Sequence, residues 1–191
     1  KALNIKNGIL NIQFFVENNE FYAYDPGFRL QGEAPDIHCA HINGFDHRKM
    51  LVDYSFTGIF GKDDFPKKND YNFKGKNACT IWVLLTKGEI GLIEGLNEIK
   101  SDEDVVFVLE RFISGDIVKS EMLGTERQVF ARIYLEANSV SEINKKIIHF
   151  RNVLKIYDYN GKNMILDWLE PFDVKDYKKV KSKLKVSQPN P

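Results

Sequence analysis

Asp25-Pro26-Gly27-Phe28-Arg29-Leu30-Gln31-Gly32-Glu33-Ala34-Pro35, together with Gln13 twelve residues upstream of Asp25, carries the most informative pattern in the chain. Residues 9–16 read as one strand and 21–25 as a second, with the polar turn Glu17-Asn18-Asn19-Glu20 between them. Pro26 and Gly27 stop the pair. A hairpin of this kind sets Gln13 beside Asp25. An amide oxygen and a carboxylate oxygen converging there make a hard-oxygen site, the kind Mg²⁺ takes when nucleotide phosphates complete its shell. Arg29 sits just past the strand end, where a guanidinium can grip a phosphate, an acyl phosphate or a carboxylate with two hydrogen bonds. Glu33 adds a carboxylate to the same loop as a candidate base. Spacing alone leaves a plain loop salt bridge between Asp25 and Arg29 open as the alternative.

Gln13, Asp25, Arg29, Gln31, Glu33 and Pro35 resemble the end of the catalytic domain of the ATP-grasp superfamily. The run from Arg29 to Pro35 is similar to the Arg-Ile-Gln-Val-Glu-His-Pro loop of biotin carboxylase, and Gln13 to the glutamine that carbamoyl phosphate synthase uses as a metal ligand. Asn43-Gly44-Phe45-Asp46 followed by Leu51 resembles the T-G-x-D-x-x-x-L helix after the metal motif, and residues 78–157 resemble the C-terminal lobe of carbamoyl-phosphate-synthase-like ligases. The resemblance implies that Gln13 and Asp25 orient Mg-ATP as metal ligands. Arg29 would serve nucleotide, substrate and catalysis. Gln31 and Glu33 would face the second substrate, with Glu33 as a catalytic group. Three positions depart from the family pattern. Gly27 stands for the usual Asn, Ala34 for the carboxylase His, and Asp25 for the usual Glu. A single carboxylate implies one Mg²⁺ more readily than two, and Mn²⁺ can substitute.

Beyond the motif, residues 40–59 read as one amphipathic helix interrupted at Gly44. The Lys/Asp/Asn/Gly-rich run 61–76 reads as an exposed loop between two lobes. Residues 78–85 and 89–94 read as a second hairpin around Lys87-Gly88, and Gly88, Gly91 and Gly95 as its turn glycines. Residues 104–113 and 128–137 read as further strands, followed by a helix capped by Ser139 or Ser141 and running to about Leu154. That helix shows an apolar face of Ile143, Ile147, Ile148, Phe150 and Val153, and a closing segment follows at 154–157. The expected fold is therefore α+β: the end of an ATP-grasp domain, an antiparallel hairpin plus helix, packed on a small C-terminal α+β lobe. Its parts are 1–60, 61–172 and a lysine-rich tail, 173–191, read as a solvated tail or terminal helix.

Composition narrows the partners. With 27 basic and 27 acidic residues the chain carries no net charge, which gives no electrostatic reason for a nucleic acid or a membrane surface. An apolar fraction of 43% is enough for a packed core. Cys39 and Cys79 are too few for a disulfide framework and point to reduced thiols in the cytoplasm. His38, His41, His47 and Asp46 fit no standard metal spacing.

The expected whole is a C-terminal portion of an ATP-dependent ligase. It would activate a carboxylate or bicarbonate through an acyl phosphate for attack by an amine or ammonia. The start at Lys1 hints at a processed or truncated product. The glycine-rich phosphate loop and ATP-contacting lysines precede this motif in the family, and residues 1–10 do not supply them. The chain alone is therefore expected to be inactive, with an N-terminal ATP-grasp portion joining it in cis or in trans. A homodimer is also compatible. The rival expectation is a non-catalytic ATP-grasp-like subunit or interaction domain.

Overall fold

The computed structural model describes residues 8–18, 20–61, 70, 72–173 and 175; the lysine-rich tail therefore lies almost wholly outside the described residues, as does most of the 61–76 run. The chain divides into two compact units, Lys1–Lys74 with Lys175–Pro191, and Gly75–Val174.

The first unit opens with β1 (Asn11–Glu17) and β2 (Glu20–Gly27), an antiparallel pair. Strand alternation puts Ile12, Phe14 and Val16 on one face with Phe21 and Ala23, and Gln13 and Phe15 on the other with Tyr22. Nearly every residue of both strands is exposed, so neither face is a core face within the described residues. The single helix expected over 40–59 is two helices, α1 (Asp36–Asn43) and α2 (His47–Thr57). Gly44 adopts φ +78°, which ends α1 in a left-handed cap that a Cβ would disfavour. The chain then extends, and Asp46 starts α2 by accepting hydrogen bonds from the backbone N–H of Arg48 (2.9 Å) and Lys49 (3.2 Å). Burial would raise the Asp46 carboxyl, but those two N–H donors and the Arg48 guanidinium outweigh it and leave it below the ordinary value. α1 buries Ile37, His38 and Ile42, whereas α2 buries no residue.

The second unit holds a conventional core. Its elements are β3 (Asn77–Leu85), β4 (Gly88–Glu94), α3 (Leu96–Lys100), β5 (Val105–Glu110), β6 (Ile117–Val118), β7 (Val129–Ala137), α4 (Val140–Val153), β8 (Lys155–Asp158) and β9 (Ile165–Asp167). They form a four-stranded sheet, β5-β7-β3-β9, and a three-stranded sheet, β6-β4-β8, with every pairing antiparallel. The expected β3–β4 hairpin is not formed. β3 has β7 on one edge and β9 on the other, so no edge remains for β4, which pairs with β6 and β8 instead. Gly91 is accordingly not a turn residue. It lies inside β4 where the Asp158 backbone approaches, and a Cβ there would sit 2.9 Å from it.

Ile81, Val83, Leu85, Ile133, Leu135, Ile147, Phe150 and Ile156 are all fully buried between these sheets and α4. Ile143, Ile147 and Phe150 recur at helical spacing on α4, which is why this helix seats on the sheets. Ile148 is outside that stripe and 49% exposed, a correction to the face expected from sequence. Ser139, not Ser141, caps α4. Its Oγ accepts from the Glu142 N–H at 3.2 Å, and the Glu142 carboxylate accepts from the Asn138 N–H at 2.9 Å.

Candidate functional site

The register of the hairpin decides what its side chains can do. Gln13 and Asp25 are direct cross-strand partners. Between Gln13 and Phe14 the register slips, because Phe14 faces Ala23 and Tyr24 is left as an extra residue in β2. The bulge sets Tyr24 beside Gln13. The Tyr24 hydroxyl donates to Gln13 Oε1 at 2.6 Å, and its ring stacks on Phe15 with centroids 4.7 Å apart. The opposite face is apolar, with Phe14 and Phe21 edge to face at 5.0 Å.

The loop after β2 carries the remaining residues singled out from sequence. Arg29 is exposed, and its Nη1 donates to the Leu30 carbonyl at 3.0 Å. Its stem lies along Gly27, where a Cβ would meet Arg29 Cγ and Nε at 3.5 Å. Gln31 Nε2 donates to the Glu33 carboxylate at 2.7 Å, so these two residues act as one unit. Ala34 takes φ +54° and closes a turn by donating its N–H to the Gln31 carbonyl at 3.2 Å, directly ahead of α1.

The structure thus brings Gln13 to Asp25 and Gln31 to Glu33. Gln13 and Asp25 offer two hard oxygens. That fits a six-coordinate cation whose other ligands are phosphate oxygens and water, not an all-protein cage. Among the described residues no group of three or more His, Cys, Asp or Glu converges on a metal position. Of the histidine run, His38 is buried on α1 and His41 is exposed.

Two features went unread in the sequence. A cavity of about 470 Å³ opens beside the loop, lined by Ile9, Leu10, Gln31, Pro35, Cys39 and His47 among others, with buried Asp36 on its wall. Asp36 Oδ2 lies 2.9 Å from Arg48 Nε, the partner a buried carboxylate requires. In the second unit, Arg132 on β7 is 3% exposed, lies 4.2 Å over the Trp82 ring and pairs with Glu126 at 3.1 Å. β7 reads as a half-buried alternating strand, so a charged residue at 132 suggests solvent. Only the neighbouring strand shows that its outer face is covered too.

No protein-family profile and no curated protein sequence matches the chain. Solved structures do. An L-amino acid ligase from Bacillus licheniformis superposes with a TM-score of 0.67 at 17% identity, over 83% of this chain and 40% of that one. A phosphoribosylglycinamide synthetase from Anaerococcus prevotii superposes with a TM-score of 0.63 at 15% identity, over 82% of this chain and 38% of that one. The chain shares its fold with these two structures. It spans about two fifths of their length. At this identity the likeness is one of fold.

Proposed function

We propose that the chain is a C-terminal portion of an ATP-grasp ligase of the carbamoyl-phosphate-synthase-like or biotin-carboxylase-like kind. It would couple ATP cleavage to activation of a carboxylate or bicarbonate. The observation that carries this reading is the cross-strand pairing of Gln13 with Asp25 in a fold shared with C–N ligases. In the reaction, a substrate carboxylate oxygen attacks the γ-phosphorus of ATP, the bond to ADP breaks and an acyl phosphate forms. An amine or ammonia then attacks the acyl carbon and phosphate leaves.

Gln13 and Asp25 hold the cation that accompanies ATP. When bound, Mg²⁺ or Mn²⁺ neutralises phosphate charge. Arg29 reaches the transferring phosphoryl group once it swings from the Leu30 carbonyl. Gln31 orients Glu33, whose carboxylate faces the second substrate and takes a proton from the attacking nucleophile. The lysines and glycine-rich loop that hold ATP come from a polypeptide supplied in cis or in trans. The exposed apolar residues of the hairpin and of α2 support that need. No described helix is long and apolar enough to cross a membrane.

The test is ADP release over a panel of carboxylates, with the chain joined to or mixed with its ATP-holding portion. Asp25→Asn and Arg29→Ala should each lower turnover by about 100-fold or more. The 191-residue chain by itself should release none. Full activity in both variants removes these residues from the mechanism. One observation favours a second reading, a non-catalytic subunit. The site has one carboxylate and a Gly27 where a third ligand would stand, and Arg29 is turned back on its own loop. ATP binding without ADP release on any carboxylate would select it.

A further inference from the structure

We propose that Tyr24 is a positioning residue that sets the Gln13 side chain for the nucleotide-bound cation; the inference rests on the cation reading of Gln13 and Asp25 given above. An exposed glutamine on a hairpin samples several rotamers, and its amide can present either oxygen or NH₂ to a ligand. Only the oxygen binds a metal. The Tyr24 hydroxyl resolves both ambiguities, since it donates to Gln13 Oε1 at 2.6 Å and so fixes the rotamer and the sense of the amide.

The phenol is itself held. Its ring stacks on Phe15 at 4.7 Å with 25° between planes, and the bulge that places it is built into the ladder by the slip from Gln13↔Asp25 to Phe14↔Ala23. In a regular ladder Tyr24 would face Gln13 itself and Asp25 would be displaced to Ile12, on the apolar face. As an extra residue, Tyr24 shares Gln13 with Asp25. One lone pair of the amide oxygen takes the phenol proton, and the second remains for a cation held jointly with Asp25. Hydrogen bonds that orient a metal ligand from behind commonly carry 10- to 100-fold in metal affinity.

The probe is Mn²⁺ alone, added to the 191-residue chain, with paramagnetic broadening of the Gln13 side-chain amide and the Asp25 backbone amide as readout. Tyr24→Phe keeps the stacked ring and removes the hydroxyl. It should require about tenfold more Mn²⁺ for the same broadening. Tyr22→Phe is the control, because the Tyr22 hydroxyl donates to Glu20 at 2.9 Å and not to a cation ligand. It should leave the titration unmoved. On a Gln13→Ala background, Tyr24→Phe should cost nothing further, whereas a merely structural tyrosine would cost the same in both backgrounds. Equal or tighter Mn²⁺ binding in Tyr24→Phe overturns the positioning role while leaving the cation site standing. If Gln13→Ala and Asp25→Asn leave the broadening of the residue-25 backbone amide unchanged, the cation reading itself falls, a separate and recognisable outcome.

Discussion

Tyr24 and Arg132 mark what single residues reveal only in three dimensions. The sequence offers Gln13 and Asp25 as neighbours near the open end of a hairpin, yet a regular count from its polar turn would set Tyr24, not Asp25, opposite Gln13. The bulge that lets both face Gln13 has no signature, since Phe-Tyr-Ala-Tyr-Asp reads as an ordinary alternating strand. Arg132 is hidden for a similar reason, as its burial depends on strands and chain brought in from elsewhere. Cys79 supplies a prediction at this scale. Burial pushes its thiol up to about 11, so at pH 8 about one molecule in a thousand carries the thiolate. Native protein should therefore label at Cys79 at least tenfold more slowly than denaturant-unfolded protein, as followed by mass spectrometry of the alkylated peptide. Equal rates would show that Cys79 is not shielded.

Elements were legible where one period dominates over many residues. The hairpin, the long helix α4 and the strands β5 and β7 follow from alternation or from apolar residues at i, i+4 and i+7. Pairing was not legible. β3 and β4 are adjacent in sequence, separated by Thr86-Lys87 with Gly88 opening β4, a strong local cue for a hairpin, yet β3 spends both edges on β7 and β9. The two-residue β6 and three-residue β9 are too short to show any period. Two predictions belong here. Lys146 on α4 reaches Asp102 at 2.7 Å and Asp104 at 3.0 Å, tying the helix to the start of β5. Burial would lower the Lys146 ammonium, but its hydrogen bonds to both carboxylates outweigh this and raise it. Its contribution is then complete below the ordinary lysine value of 10.5 and is lost as pH rises through the higher folded value. Lys146→Met should cost about 1–2 kcal/mol at pH 7 in urea unfolding, a gap that narrows at strongly alkaline pH. Gly95 leads into α3 at φ +78°, and a Cβ there would fall 2.3 Å from the Val153 carbonyl oxygen. Gly95→Ala should destabilise the second unit by about 2 kcal/mol or more, read as a lowered melting temperature.

At the scale of the whole molecule the two units differ in kind. The second buries its apolar residues in one continuous cluster, whereas the first leaves Phe14, Phe15, Phe21, Tyr22 and Tyr24 each roughly half exposed or more. Five such rings present about 500 Å² of apolar surface, divided between the two faces of the hairpin. A two-stranded sheet open on both faces is also marginal alone. The isolated chain should therefore bind the dye ANS, and Phe14→Ser with Phe21→Ser should reduce the fluorescence several-fold without moving the melting transition of the second unit. Undiminished fluorescence would place the sticky surface elsewhere.

The strict alternation of β1 has a consequence for variation. Substitutions at 12, 14 and 16 alter what the strand packs against, while those at 13 and 15 alter what it can coordinate or stack upon. In a saturation library scored separately for expression and for cation binding, the two score profiles along residues 12–16 should oscillate out of phase, each with a repeat of two positions.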